Sequence, residues 1–200
     1  MIENVDVPVG ESGDWKIISF FVKSENVLMH NLRAVRDGYP HRQISEGRYT
    51  KLTYGNEVVM SDTPSEKHDH RYFVMKAKGK VLLAGLGLGM VLNAVALKPE
   101  VTKVTVVELN SDVIDLCWDH YKDKFGDKIE LIHADILEWK PPKGDKIWDC
   151  AWFDIWNEGN LENWEEYKLL MRRYGRKAVY KDCWMRDELL RQQREERRYA

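Results

Sequence analysis

Lys80-Val81-Leu82-Leu83-Ala84-Gly85-Leu86-Gly87-Leu88-Gly89 decides the fold. A short apolar run leads straight into glycines at alternate positions. Met90 to Leu97 reads as a helix, stopped by Pro99. A second apolar run, Val104-Thr105-Val106-Val107, then ends in Glu108. A strand, a glycine turn, a helix and a second strand ending in an acid form one half of an open α/β sheet that binds nucleosides or phosphates. Glycine lets the backbone turn sharply and approach a ligand with no Cβ in the way. An acid at the end of the second strand suits the two hydroxyls of a ribose. An adenosine-containing cofactor is the expected ligand.

The spacing of the glycines narrows the choice. A dinucleotide turn reads G-x-G-x-x-G, and its third glycine would fall on Met90. The G-x-G-x-G spacing resembles motif I of the class I S-adenosylmethionine-dependent methyltransferases and of the related spermidine synthases. The likeness runs from about Val81 to Tyr180. It implies a Rossmann-like open parallel sheet and S-adenosylmethionine, or its decarboxylated form, as cofactor. It also implies that Gly85, Gly87 and Gly89 line the methionine and ribose. Glu108, in Val-Val-Glu-Leu-Asn, would take the ribose hydroxyls, with Leu109 beside the adenine. Asp135 would accept from the adenine amino group, and Ile136 would offer its backbone N–H to the ring. Asp154, in Trp-Phe-Asp-Ile-Trp, would face the reacting centre as the catalytic residue.

Two hundred residues suit one domain with a small appendage. Hydrophobic residues make up 44% of the chain, enough for a sizeable core. A net charge of −2 points to neither a general nucleic-acid surface nor a membrane surface. No apolar run approaches the roughly 20 residues that span a bilayer. The start, Met1-Ile2-Glu3-Asn4-Val5-Asp6, lacks the basic and apolar regions of a secretory signal. Cys117, Cys150 and Cys183 are scattered and odd in number. They read as reduced thiols of a cytoplasmic protein.

Residues 1–62 form an N-terminal region. Trp15 to Val22 reads as a strand and Glu25 to Arg36 as a helix with Val27, Leu28, Leu32 and Val35 apolar. Tyr49 to Tyr54 and Glu57 to Met60 form a hairpin about Gly55-Asn56. An exposed edge there offers a surface for homodimer pairing. Residues 63–185 form the α/β domain. Thr63-Pro64-Ser65-Glu66 opens a helix with a capping box. Ser111 caps a helix with Ile114, Trp118, Tyr121 and Phe125 on one stripe. Ile129 to His133, Trp148 to Phe153 and Lys177 to Tyr180 complete about five parallel strands, separated by a stripe of Leu161, Trp164, Tyr167, Met171 and Tyr174. Residues 186–200 form a charged helix or tail and leave no room for the sixth and seventh strands of the full methyltransferase fold.

Several chemistries fit this frame. Methyl transfer to a small-molecule acceptor is the first. Aminopropyl transfer is the second, since the hairpin and the covering helix resemble the N-terminal layout of spermidine synthases. This chain reads Asp154-Ile155-Trp156-Asn157 where that family carries Asp-Ser-Ser-Asp-Pro. The Asn/Asp-Pro-Pro-Tyr motif of methyltransferases that act on exocyclic base or amide nitrogens is absent as well. A nicotinamide-dependent oxidoreductase and a non-catalytic nucleoside-binding protein are the remaining readings. Asp154 with Asp182-Cys183 compares faintly with metal-dependent O-methyltransferases, but Cys183 stands where they carry Asn. A hard cation prefers oxygen ligands, so no metal is assigned. In His68-Asp69-His70 the two histidines diverge by roughly 200° on a helix and cannot share an ion. One of them, or Asp69, could reach the cofactor mouth. Trp152, Trp156 and Trp164 could flank a sulfonium or an amine.

Overall fold

The structure, a computed structural model, describes residues 2–157 and 160–199. Met1 at the head of the chain and Ala200 at the end of the charged tail lie outside the described residues. An antiparallel sheet comes first, with strands β1 (Gly10–Ser12), β2 (Trp15–Val22), β3 (Gly47–Tyr54) and β4 (Glu57–Ser61) in sequential order. Helix α1 (Ser24–Arg36) links β2 to β3, and α2 (Pro64–Lys76) leads into the second sheet. That sheet holds β5 (Gly79–Ala84), β6 (Val101–Glu108), β7 (Ile129–His133), β8 (Trp148–Phe153) and β9 (Ala178–Cys183). All its pairings are parallel, in the order β7-β6-β5-β8-β9. Helices α3 (Met90–Ala96), α4 (Ser111–Phe125) and α5 (Trp164–Arg173) connect the strands, and α6 (Arg186–Tyr199) follows β9. The result is an α/β, Rossmann-like open sheet with an N-terminal antiparallel region.

Parallel strands covered on both faces carry continuous apolar runs. In β5, Val81 and Leu83 face one core, shared with α3, α4 and Phe73 of α2. Leu82 and Ala84 face the other, with Tyr167 and Leu170 of α5 and Leu189 of α6. Ile17 and Leu52 of the antiparallel sheet enter the first core too. The antiparallel sheet is also tied to α4 through Ser12, whose hydroxyl donates to Asp112 Oδ1 at 2.7 Å. Asp62, fully buried, accepts from Thr50 N at 2.7 Å and from Val5 N at 3.0 Å. The three cysteines are buried and unbridged. Burial pushes the Cys117 and Cys183 thiols up to about 12 and raises that of Cys150.

Several local expectations are corrected. Asn110, not Ser111, caps α4, its side chain accepting from the Asp112 and Val113 amides. The fully buried stripe of α4 is Val113, Cys117 and Tyr121, rotated from the expected Ile114 and Trp118. A buried Tyr121 hydroxyl needs an acceptor, and it donates to Leu88 O at 2.6 Å. Thr63 makes no side-chain cap of α2; Glu66 reaches past it to accept from Ser61 N at 3.1 Å. The apolar residues of α1 stay at the surface, with Leu28, Met29, Leu32 and Val35 all more than half exposed. No helix among the described residues is long and apolar enough to cross a membrane.

Leu82 is fully buried at the centre of the parallel sheet. Leu82→Ala should cost about 2–5 kcal/mol in a urea titration. A change within error would mean that the cores are not arranged as described.

Candidate active site

The strand order reverses between β5 and β8, and a crevice opens beyond the carboxyl ends of the strands at such a point. Here it is a cavity of about 720 Å³, walled by the ends of β5, β6 and β8, by β4 and by one side of α2.

The glycine turn forms its floor. Gly85, Gly87 and Gly89 all have positive φ, at 95°, 52° and 71°, where side chains other than glycine are strained. A Cβ on Gly85 would collide with the carbonyl oxygen of Asp154. The turn is closed from both sides: Gly85 N donates to Val107 O, and Asp154 N to Ala84 O, each at 2.9 Å. A Cβ on Gly87 would meet the Met60 sulfur, which also accepts from Leu88 N at 3.1 Å. Gly85 and Gly87 line the cavity. Gly89 is absent from its wall; its Cα faces the Tyr121 ring, and glycine is required there by packing.

Glu108 ends β6 almost buried, at 9% exposure. Its Oε2 accepts from Leu86 N at 2.7 Å and its Oε1 from Asn110 N at 2.8 Å. The carboxylate is thereby fixed in orientation, with lone pairs left over for a ligand. Leu109 is exposed at the rim, and Ile136 is buried in the wall. Asp135 lines the same wall and accepts from Leu137 N at 2.7 Å.

Asp154, at the end of β8, lies opposite α2. His70 Nε2 stands 3.6 Å from its Oδ2, and the ring is 1% exposed. Burial holds the His70 imidazole down at about 4, against the pull of Asp69, so the ring is neutral at pH 7. Burial first, then the Asp69 carboxylate, pushes Asp154 up to about 7, with the Trp152 N–H opposing. Burial also raises Glu66 to about 7; the Ser61 N–H opposes this, and Asp154 and Asp69 add to it. Carboxyls poised near neutrality can accept or return a proton. Helix α2 is held in place at its far end by Lys98, whose ammonium donates to Val74 O at 2.8 Å and Ala77 O at 2.6 Å.

The pattern His68-Asp69-His70 thus splits three ways. His68 is exposed, Asp69 lines the cavity, and His70 is buried behind Asp154. Trp152 and Trp156 line the cavity, while Trp164 is half-buried and stacks on Tyr167 at 5.4 Å against the second core. Asp182 accepts from the Tyr180 hydroxyl, and Cys183 is buried in the core. Sequence reasoning missed Met60, Arg42 and Trp184 in the wall. They come from segments far apart in the chain, and no local pattern joins them.

No protein-family model and no curated protein matches this chain. Solved structures share part of its layout. The [4+2]-cyclase SpnF aligns over 57% of this chain and 40% of its own, at 18% identity and a TM-score of 0.42. A protein provisionally assigned as a caffeoyl-CoA O-methyltransferase, from Staphylococcus aureus, aligns over 78% and 62%, at 16% identity and a TM-score of 0.44. Coclaurine N-methyltransferase, solved with N-methylheliamine and S-adenosylhomocysteine, aligns over 56% and 30%, at 19% identity and a TM-score of 0.42. Each overlap spans less than two thirds of the other protein.

The site sets the sign of the pH response. Between about pH 5 and 7, folded Asp154 and Glu66 keep protons that their unfolded forms release, so stability falls as pH rises. His70 acts the other way, since its unfolded ring binds a proton below about 6.5 that the folded ring refuses until about 4. Two carboxyls outweigh one imidazole. The Tm should be higher at about pH 5 than at about 7.5, and Asp154→Asn should narrow the gap. A Tm that climbs across this interval in the parent protein would contradict the assignment.

Proposed function

We propose that this protein transfers a methyl group from S-adenosylmethionine to a small-molecule acceptor. The observation that carries the reading is the convergence of the glycine turn, Glu108, the Asp135–Ile136 wall and Asp154 on one cavity at the switch point. The residues present fit the cofactor. The turn brings bare backbone at Gly85 and Gly87 to the cavity, and Glu108 presents an oriented acceptor for two ribose hydroxyls. Asp135 offers a free carboxylate oxygen for an amino group, and Leu109 and Ile136 supply apolar surface for a flat ring. Bound there, S-adenosylmethionine supplies a methyl group activated by its sulfonium.

The chain's own contribution is to bind, orient and move a proton. Trp152 is fixed by stacking on Phe73 at 5.0 Å and by an edge contact with His70 at 5.6 Å, and it forms one wall of the reacting end. Asp154 accepts the proton that an acceptor nucleophile must lose. Neutral His70 leaves that carboxyl with little electrostatic support, which keeps it basic enough to do so. Holding two reactants in line supplies the larger part of such catalysis.

Calorimetric titration with S-adenosylmethionine, S-adenosylhomocysteine, methylthioadenosine and NAD tests the reading. The first two should bind, and Glu108→Ala should weaken S-adenosylhomocysteine by at least about tenfold with its circular dichroism unchanged. Preference for methylthioadenosine would favour aminopropyl transfer, and binding of NAD alone would sink the proposal.

A further inference from the structure

The charge of the cavity wall is one-sided. Glu66, Asp69, Glu108, Asp135, Asp154 and Glu166 all line it, and Arg42 is the one Lys or Arg among the described lining residues. Glu108 and Asp135 lie at the β6 and β7 ends, on the side given above to the nucleoside. Glu66 and Asp69 belong to α2 and face Asp154 across the reacting end. The Asp69 carboxylate lies close enough to raise the affinity of both Glu66 and Asp154 for protons, and Asp154 raises that of Glu66 further, as carboxylates sharing a site do. Three acids gathered in a recess are costly for the protein alone. A cation among them relieves the repulsion, and partial burial strengthens its attraction.

Trp15, Trp152, Trp156 and Trp184 share the cavity wall with these acids. Trp156 is held by its Nε1, which donates to Glu166 at 2.6 Å. Trp152 is 5% exposed, and its buried Nε1 has no hydrogen-bond partner, although the N–H is turned toward Asp154. Turned that way, the N–H favours the charged form of Asp154, the form that accepts a proton. Indole faces attract cations, and Trp is the strongest of the aromatic side chains in this respect.

We propose that the acceptor is an amine, which enters as its ammonium cation, is held by the carboxylates of Glu66 and Asp69 against the tryptophan wall, and passes a proton to Asp154. The inference rests on the transferase reading of the same cavity. The proton step is balanced within the site: R–NH3⁺ and the Asp154 carboxylate become R–NH2 and the carboxylic acid. The freed nitrogen lone pair is the nucleophile that methyl transfer requires. An alcohol could donate a neutral hydrogen bond to Glu66 or Asp69 but would lack the ammonium's charge attraction, and a carboxylate would be repelled.

Equilibrium binding tests this without turnover. Butylamine and phenethylamine are titrated against butan-1-ol, 2-phenylethanol and butanoate, with and without saturating S-adenosylhomocysteine. The amines should bind at least about tenfold tighter than their alcohols. Asp69→Asn, and Glu66→Gln, which keeps an acceptor for Ser61 N, should each weaken the amines by about tenfold and leave S-adenosylhomocysteine within about twofold. Alcohols that bind as well as the amines, undetectable amine binding, or amine binding indifferent to both substitutions overturns the proposal while S-adenosylhomocysteine binding leaves the transferase reading standing. Failure of S-adenosylhomocysteine to bind removes that reading, and the acceptor role falls with it even where an amine binds.

Discussion

The carboxylate of Glu108 accepts from the Leu86 amide, and much of the site depends on that bond. It joins the end of β6 to the glycine turn that follows β5. Each chain end could otherwise move separately, because backbone with positive φ and no side chains has little of its own to hold it. The bond from Gly85 N to Val107 O and that from Asp154 N to Ala84 O extend the tie across β6, β5 and β8. One acid therefore orders the floor of the cavity and keeps its remaining lone pairs for a ligand.

Helix α2 forms the opposite jaw. Its first turn is fixed to the hairpin through Glu66 and Ser61, and its last carbonyls are gathered by Lys98. Between these anchors it places Asp69 in the cavity and His70 behind Asp154. Burying a neutral imidazole against a carboxyl costs less than burying a charged pair, provided the carboxyl can hold its proton near neutral pH. The raised Asp154 and the lowered His70 are two sides of that same accommodation.

The parallel sheet was legible in the sequence because its signals are local. Trp148 to Phe153 is apolar but for Asp149, and its bounds as a strand match those of β8. Ile129 to His133 and Trp15 to Val22 likewise match β7 and β2. The site was legible only in part. Glu108, Asp135 and Asp154 lie at strand ends, where topology places ligands, and all three reach the cavity. Gly89 follows the same motif but serves the packing of Tyr121, a partner on α4 that periodicity had placed on a different stripe. Asp69 and His70 part company because a helix turns by about 100° per residue. Which of them faces inward is decided by how α2 docks on β8, and no local signal carries that. The apolar side of α1 is the reverse case: its pattern is clear, yet no described residue buries it.

The burial of Cys117, Cys150 and Cys183 gives the protein a built-in reporter of its own breathing. A thiol reacts as its thiolate, and these thiols ionise only far above neutral pH while they stay inside the cores. Alkylation at neutral pH must wait for an opening event. Cys117 lies under the glycine turn, its Sγ bonded to Gly87 O, and Cys183 closes the far edge of the sheet. Their separate labelling rates would resolve whether the cavity floor and the β9 edge open together or as independent units.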